Sequence, residues 1–153
     1  MIFVTVGTQK QQFTRLLEML EKSEELKNDE IIVQSGYTKY ESNRLKLIDF
    51  VSFEKMEEYI DKSEFVISHG GVGSIFTALK RNKRVLVVPR LSKYKEHIND
   101  HQLEICEQLE KDDFILYLKD EKDFDKIIRR IRRRKNKEYM SDRSFIDKLR
   151  KEI

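Results

Sequence analysis

Phe65-Val66-Ile67-Ser68-His69-Gly70-Gly71-Val72-Gly73-Ser74-Ile75-Phe76-Thr77-Ala78-Leu79 is the stretch on which the fold turns. Phe65–Ser68 is short and apolar without alternation, the pattern of a strand covered on both faces. An amphipathic run over about Ser74–Arg81 reads as a helix. Between them lies a loop with three glycines. Strand, glycine loop and helix in that order form the βα unit of a parallel sheet.

The same alternation extends in both directions. Met1–Val6, Ile31–Gln34, Leu47–Val51, Arg84–Val88 and Phe114–Leu118 read as further strands. Gln12–Lys22 places Phe13, Leu16, Leu17 and Leu20 on one helical face. Ser52 fits an N-cap for a helix over Phe53–Lys62. His97–Glu110, Asp120–Arg134 and Asp142–Ile153 complete the predicted helices. This order predicts an α/β, Rossmann-like, doubly wound parallel sheet with right-handed crossovers.

At 153 residues the chain fits a single domain, 1–153, with a basic helical tail from about 120. Charged and apolar residues each make up 39%, with one Pro, which excludes disordered and fibrous classes. No apolar run approaches the roughly 18 residues of a membrane span. Met1–Gly7 has neither a basic leader nor a cleavage site and reads as a first strand, so a cytoplasmic address is expected. One Cys and three His argue against a disulfide framework or a structural zinc site. Cys106 reads as core. Residues 1–118 carry 17 Lys+Arg against 20 Asp+Glu, a net of −3; residues 119–153 carry 14 against 8, a net of +6. The Arg129–Lys135 run suits an anionic surface, a partner, or simply a solvated helix face.

Ligands of open parallel sheets sit beyond the carboxyl ends of the strands. All five glycines, at 7, 36, 70, 71 and 73, fall there. His69, Gly70, Gly71, Gly73 and Ser74 place unobstructed backbone at a helix N-terminus, where free N–H groups and the helix dipole favour phosphate. The G-G-x-G spacing is not that of a dinucleotide fingerprint, and no phosphate-loop lysine follows. Gly7-Thr8-Gln9 forms a second candidate phosphate contact. Each loop also suits a plain tight turn. Glu96-His97-Ile98-Asn99-Asp100-His101-Gln102 concentrates donors and acceptors of fixed geometry, which sugar hydroxyls require, and equally fits an ordinary helix start. His97 and His101 stand four apart without an evident third metal ligand.

Phe3-Val4-Thr5-Val6-Gly7-Thr8, His69-Gly70-Gly71-x-Gly73-Ser74, Val87-Val88-Pro89-Arg90 and Glu96-His97-x-x-Asp100-His101-Gln102 together resemble glycosyltransferase family 28. The resemblance is nearest to the catalytic subunits of two-component bacterial capsule and exopolysaccharide transferases. It extends to the catalytic subunit of the eukaryotic N-acetylglucosaminyltransferase of dolichol-linked N-glycan synthesis. Ser144-Phe145-Ile146-Asp147-Lys148-Leu149 also looks like the capsule branch. The resemblance implies the C-terminal, donor-binding half of a GT-B fold, working with a membrane-associated subunit that holds a lipid-diphosphate-linked acceptor. It implies a UDP-sugar donor, galactose or glucuronic acid favoured, and inversion without metal or cofactor. Nucleic acid is not an expected partner.

By the same resemblance, Gly7, Thr8 and Gln9 lie at the diphosphate loop, and Phe50 and Val51 where uracil is held. His69–Ser74 face the phosphates. His101 and Gln102 lie where sugar hydroxyls are read, and Glu96, His97 and Asp100 complete that motif. The catalytic base is His97, His101 or a partner residue. Thr77 stands where many members carry a ribose-binding Glu, and a hydroxyl does not replace a bidentate carboxylate. A non-catalytic nucleotide-sugar-binding module is the alternative.

Overall fold

The computed structural model describes residues 1–135. Six strands, β1 (Ile2–Thr5), β2 (Ile31–Gln34), β3 (Lys46–Ile48), β4 (Phe65–Ser68), β5 (Arg84–Val87) and β6 (Leu116–Tyr117), form one sheet in the order β3-β2-β1-β4-β5-β6. Every pairing is parallel. The order reverses between β1 and β4, so the loops after these two strands open side by side at the carboxyl edge.

The unalternated apolar runs have a direct cause. Ile2 and Val4 point into one core with the faces of α1 (Thr14–Lys22) and α5 (Phe124–Arg133). Phe3, Ile32 and Val66 point into the other, against α2 (Phe53–Lys62), α3 (Val72–Lys80) and α4 (His101–Lys111). Both faces of each central strand are thus buried, and no position there favours a polar residue. Cys106 is fully buried in the second core, where burial pushes its thiol up to about 12. The Rossmann-like expectation is met.

Some boundaries differ from the sequence reading. Ser52 caps α2 as expected, its hydroxyl accepting from the Lys55 N–H at 3.1 Å. The third strand ends at Ile48, because the chain then turns to bring the Val51 N–H to Gln34 Oε1 at 3.2 Å. α3 starts at Val72, two residues early, with Gly71 as its N-cap. α4 starts at His101, four residues later than predicted. Asp100, which would lie inside the first turn of the longer helix, is instead the residue before α4, and its carboxylate accepts from the Ser92 N–H at 3.0 Å and the Ser92 hydroxyl at 2.8 Å. A 3-10 turn, Glu121–Asp123, replaces the first turn predicted for α5.

The basic run is partly paired within the fold. Arg129 meets Glu25 at 2.8 Å, and Arg132 meets Asp29. The predicted Asp142–Ile153 helix and the Ser144–Leu149 segment lie outside the described residues.

Candidate functional site

The carboxyl ends of β1, β2 and β4 surround a pocket of about 350 Å³. The β1 side supplies Thr5, Gly7 and Thr8, and β2 supplies Gln34. Phe53 and Met56 reach in from α2, and His69, Gly71, Gly73, Ser74 and Thr77 come from the β4–α3 loop and α3. No Asp, Glu, Lys or Arg lines it.

Backbone closeness dictates this geometry. Gly36 has φ +55°, and a Cβ there would lie 2.5 Å from the Gly7 carbonyl oxygen. Only glycine lets the two loops touch. The His69 ring is wedged between Gly7 and Gly71, so that a Cβ on either would collide with Nε2. The first turn of α3 has no side-chain cap and no acidic residue. Its amides, together with the positive end of the helix dipole, face the pocket that Gly71, Gly73 and Ser74 line. Such an end accommodates an anion without a cationic side chain.

The polar groups around it are placed by short local bonds. The Ser74 and Ser68 hydroxyls lie 2.7 Å apart, and Ser74 also donates to the Gly71 carbonyl at 3.0 Å. Gln34 donates to the Thr5 hydroxyl at 3.1 Å while its Oε1 accepts from Val51. Thr77 donates to the Gly73 carbonyl at 2.9 Å. Two buried acceptor or donor atoms are left without a protein partner, His69 Nδ1 and Gln9 Oε1.

His69 is 6% exposed, and its pKa falls to about 3. Burial is the largest cause, followed by the charge of Arg90, with a smaller contribution from His97. The imidazole is therefore neutral at physiological pH. Below the unfolded-state pKa of about 6.5, the unfolded chain takes up a proton that the folded chain refuses, so stability falls with pH. Relative to His69→Gln, the wild type is expected to lose about 2 kcal/mol between pH 7 and pH 5. Urea unfolding at the two pH values measures this; parallel losses would mean that the ring protonates in place.

The sequence-predicted residues separate into two groups. Gly7, Thr8, His69, Gly71, Gly73 and Ser74 line the pocket; Gly70 is outside the lining, against Cys106, Pro89 and Val87, and Gln9 abuts Gly7. Val51 and Phe50 lie beside it, Phe50 half exposed and edge-on to Tyr37 at 5.2 Å. Glu96, His97, Asp100, His101 and Gln102 lie outside its lining. The two carboxylates among these are held by protein groups. Glu96 is 3% exposed, with both oxygens held by Arg15 at 2.9 and 3.0 Å. Asp100 is bound to Ser92, which also holds its carboxyl below the usual range. His101, exposed at the start of α4, and the partly exposed Gln102 remain accessible. His97 Nδ1 accepts from the Asn99 N–H at 3.3 Å.

The sequence reading missed Thr5, Gln34, Phe53 and Met56 as lining, and Arg90 as framework. The Arg90 guanidinium, 3% exposed, donates to the carbonyls of Val6, Gln11 and Glu96 at 2.6–2.8 Å. Its position after the Val-Val-Pro strand end was the available signal. Among the described residues no three His, Cys, Asp or Glu gather as metal ligands, and no helix is long and apolar enough to cross a membrane.

The model of the glycosyltransferase family 28 C-terminal domain matches residues 1–153. The chain belongs to that family. Its fold is that of the C-terminal, Rossmann-like half of a GT-B glycosyltransferase. The human protein "UDP-N-acetylglucosamine transferase subunit ALG13" is 31% identical over 127 residues, 76% of this chain and 11% of the human one. The same-named protein of Debaryomyces hansenii is 30% identical over 118 residues, 71% of this chain and 54% of the relative. This family 28 chain thus spans about a tenth of one relative and about half of the other. An NMR solution structure of ALG13 superposes with TM-score 0.63 at 20% identity, over 97% of this chain and 93% of that one. The calicheamicin glycosyltransferase CalG4 superposes with TM-score 0.62 at 10% identity, over 99% of this chain and 36% of CalG4.

Proposed function

We propose that the chain is the donor-binding subunit of a UDP-sugar-dependent, inverting, metal-independent glycosyltransferase. Its acceptor is lipid-diphosphate-linked and held by a separate membrane-associated subunit, at the cytoplasmic face of the membrane. The carrying observation is the uncharged pocket at the uncapped N-terminus of α3, with glycine backbone on two sides and a neutral His69 whose Nδ1 has no protein partner. The curated relatives support it in being named as subunits of a transferase.

Chemically, the departing nucleoside diphosphate gathers negative charge as the glycosidic bond to it breaks. The α3 amides and the Gly7–Gln9 loop are already oriented and need no reorganisation to receive that charge. An acceptor hydroxyl attacking the anomeric carbon needs a base, and His97, His101 or a residue of the partner fills that role. His69, neutral and enclosed, is better suited to hold a phosphate oxygen than to move a proton. Galactose or glucuronic acid in capsule or exopolysaccharide synthesis rests on the sequence resemblance alone. The relatives' names point to N-acetylglucosamine as the sugar to test first.

Calorimetry with UDP, UDP-N-acetylglucosamine, UDP-galactose and UDP-glucuronic acid, with and without EDTA, tests the reading. Micromolar to millimolar UDP binding that EDTA does not change is expected. In the assembly with the partner, His101→Ala and Gln102→Ala are expected to lower transfer on the order of 100-fold while leaving UDP affinity in place. Unchanged transfer would favour the second reading, a nucleotide-sugar-binding module without turnover. Its supporting observation is the absence of any carboxylate from the pocket lining, with the Thr77 hydroxyl already bonded to Gly73.

A further inference from the structure

We infer that the Arg15–Glu96 ion pair is a positioning device, which fixes the His97–Gln102 segment relative to the Gly7–Gln11 loop and thereby sets how the sugar, not the nucleotide, is held. The inference rests on the donor-site reading above.

Glu96 is gripped at three points, one of them the Leu91 N–H, which donates to its Oε1 at 3.0 Å. Its carboxylate takes a fork from Arg15, Nε to Oε2 at 3.0 Å and Nη2 to Oε1 at 2.9 Å. Its backbone carbonyl accepts from Arg90 at 2.8 Å. Arg90 in turn binds the carbonyls of Val6 and Gln11, which bracket the Gly7 loop. The Arg90 N–H donates to the His69 carbonyl at 3.2 Å. One connected set of bonds therefore spans the first-strand loop, the His69 loop and the root of the 97–102 segment.

Around Glu96, from Leu91 to Asp100, the chain is a closed hoop. The Glu96 N–H returns to the Leu91 carbonyl at 3.1 Å, Lys95 turns with φ +59°, and Asp100 ties back to Ser92. The hoop has few contacts of its own to the core: Tyr94 is 50% and Ile98 82% exposed. It is anchored at two places, at Glu96 and where it enters the core-packed α4 at His101.

The Glu96 anchor is built for geometry. Arg15 is held between the rings of Phe13 and Tyr94, at 5.4 and 5.0 Å, and donates to the Pro89 carbonyl at 2.8 Å. A guanidinium–carboxylate fork fixes angle as well as distance. A buried pair contributes little net stability over an apolar replacement, so a role in specifying conformation accounts better for its presence. Neither Arg15 nor Glu96 lines the pocket, which separates this role from ligand contact.

The test uses the full chain and three variants, Arg15→Lys, Arg15→Met and Glu96→Gln. Lysine keeps the charge and the stem but not the fork, so it serves where Arg15→Met fails to fold. Amide hydrogen exchange is expected to rise at least about tenfold in residues 91–102, with protection in β1 and β4 unchanged. UDP affinity is expected to stay within about threefold of wild type. The affinity that the sugar adds to UDP, read with the tightest of the three UDP-sugars, is expected to vanish. In the assembly with the partner, donor kcat/KM falls while the UDP inhibition constant holds.

Unchanged exchange in 91–102, or an unchanged sugar increment, overturns the inference. So does loss of UDP and sugar binding together with sheet protection, which would make the pair merely structural. A wild-type chain that binds neither UDP nor UDP-sugar, alone or with its partner, defeats the donor reading instead, and the exchange arm still decides whether the pair fixes the segment.

Discussion

Arg90→Met lowers the melting temperature by on the order of 10 °C, the largest stability effect expected of any single substitution around the site. Arg90 is 3% exposed, and burial lowers its pKa to about 10, so it stays charged at neutral pH. What compensates its desolvation is a set of four hydrogen bonds to carbonyl oxygens, two of them to Val6, with the Phe13 ring 5.1 Å beneath the guanidinium. Methionine fills much of the volume but donates nothing. The Val6, Gln11 and Glu96 carbonyls lose their donors in a place where water enters poorly. At roughly 1–3 kcal/mol for each stranded acceptor, less what relaxation recovers, the loss is about 4 kcal/mol. That is a large share of a typical domain stability of about 5–15 kcal/mol. Thermal melts followed by circular dichroism measure it. A drop below about 3 °C would mean that the carbonyls find water and that the loops are not sealed by Arg90.

The contrast between Arg90 and the strands explains what was legible in the sequence. Ile31–Val33 and Phe65–Ile67 announce themselves because burial on both faces removes every polar alternative, a local property. The glycine loop is equally local: a chain that must pass within contact distance of His69 and of another loop needs residues without Cβ, wherever the partner lies. Glu96 carries no such mark. A carboxylate in a polar loop reads as exposed and free to meet a ligand, and its partner Arg15 stands 81 residues away. Gln34 is hidden in the same way. Only the parallel register that sets it beside Thr5 turns a strand-end glutamine into pocket lining. The predicted α4 runs too far toward the N-terminus because nothing local in His97–Asp100 forbids helix, whereas the structure closes Asp100 onto Ser92 and has Asn99 Oδ1 accept from the His101 N–H, which starts the helix at His101. Failures of this kind concentrate where a side chain answers to a distant segment, and successes where the backbone itself imposes the choice.

Gly73→Leu is expected to weaken UDP binding at least about 100-fold, close to 2.7 kcal/mol, without weakening the fold. Glycine within a helix costs about 0.5–1 kcal/mol relative to alanine, so a helical glycine needs a reason. Packing supplies none at this position. A Cβ on Gly73 would meet nothing within 4 Å, and the residue lies in the first turn of α3 with open space before it. That open space is the pocket. A leucine there is a better helix former than glycine, and its side chain occupies the volume beside Ser74 and Thr77 where an anion would approach the helix amides. Gly71 offers the opposite case: a Cβ would strike the enclosed His69 ring, so Gly71→Ala disturbs fold and site together and cannot distinguish them. Gly73 separates the two. Calorimetry with UDP gives the affinity, and a thermal melt of the same preparation gives the stability. A Gly73→Leu chain that melts at or above the wild-type temperature and has lost UDP places the diphosphate at the α3 N-terminus. One that binds UDP as the wild type does would remove that helix end from the site, and with it the observation on which the donor-subunit reading depends.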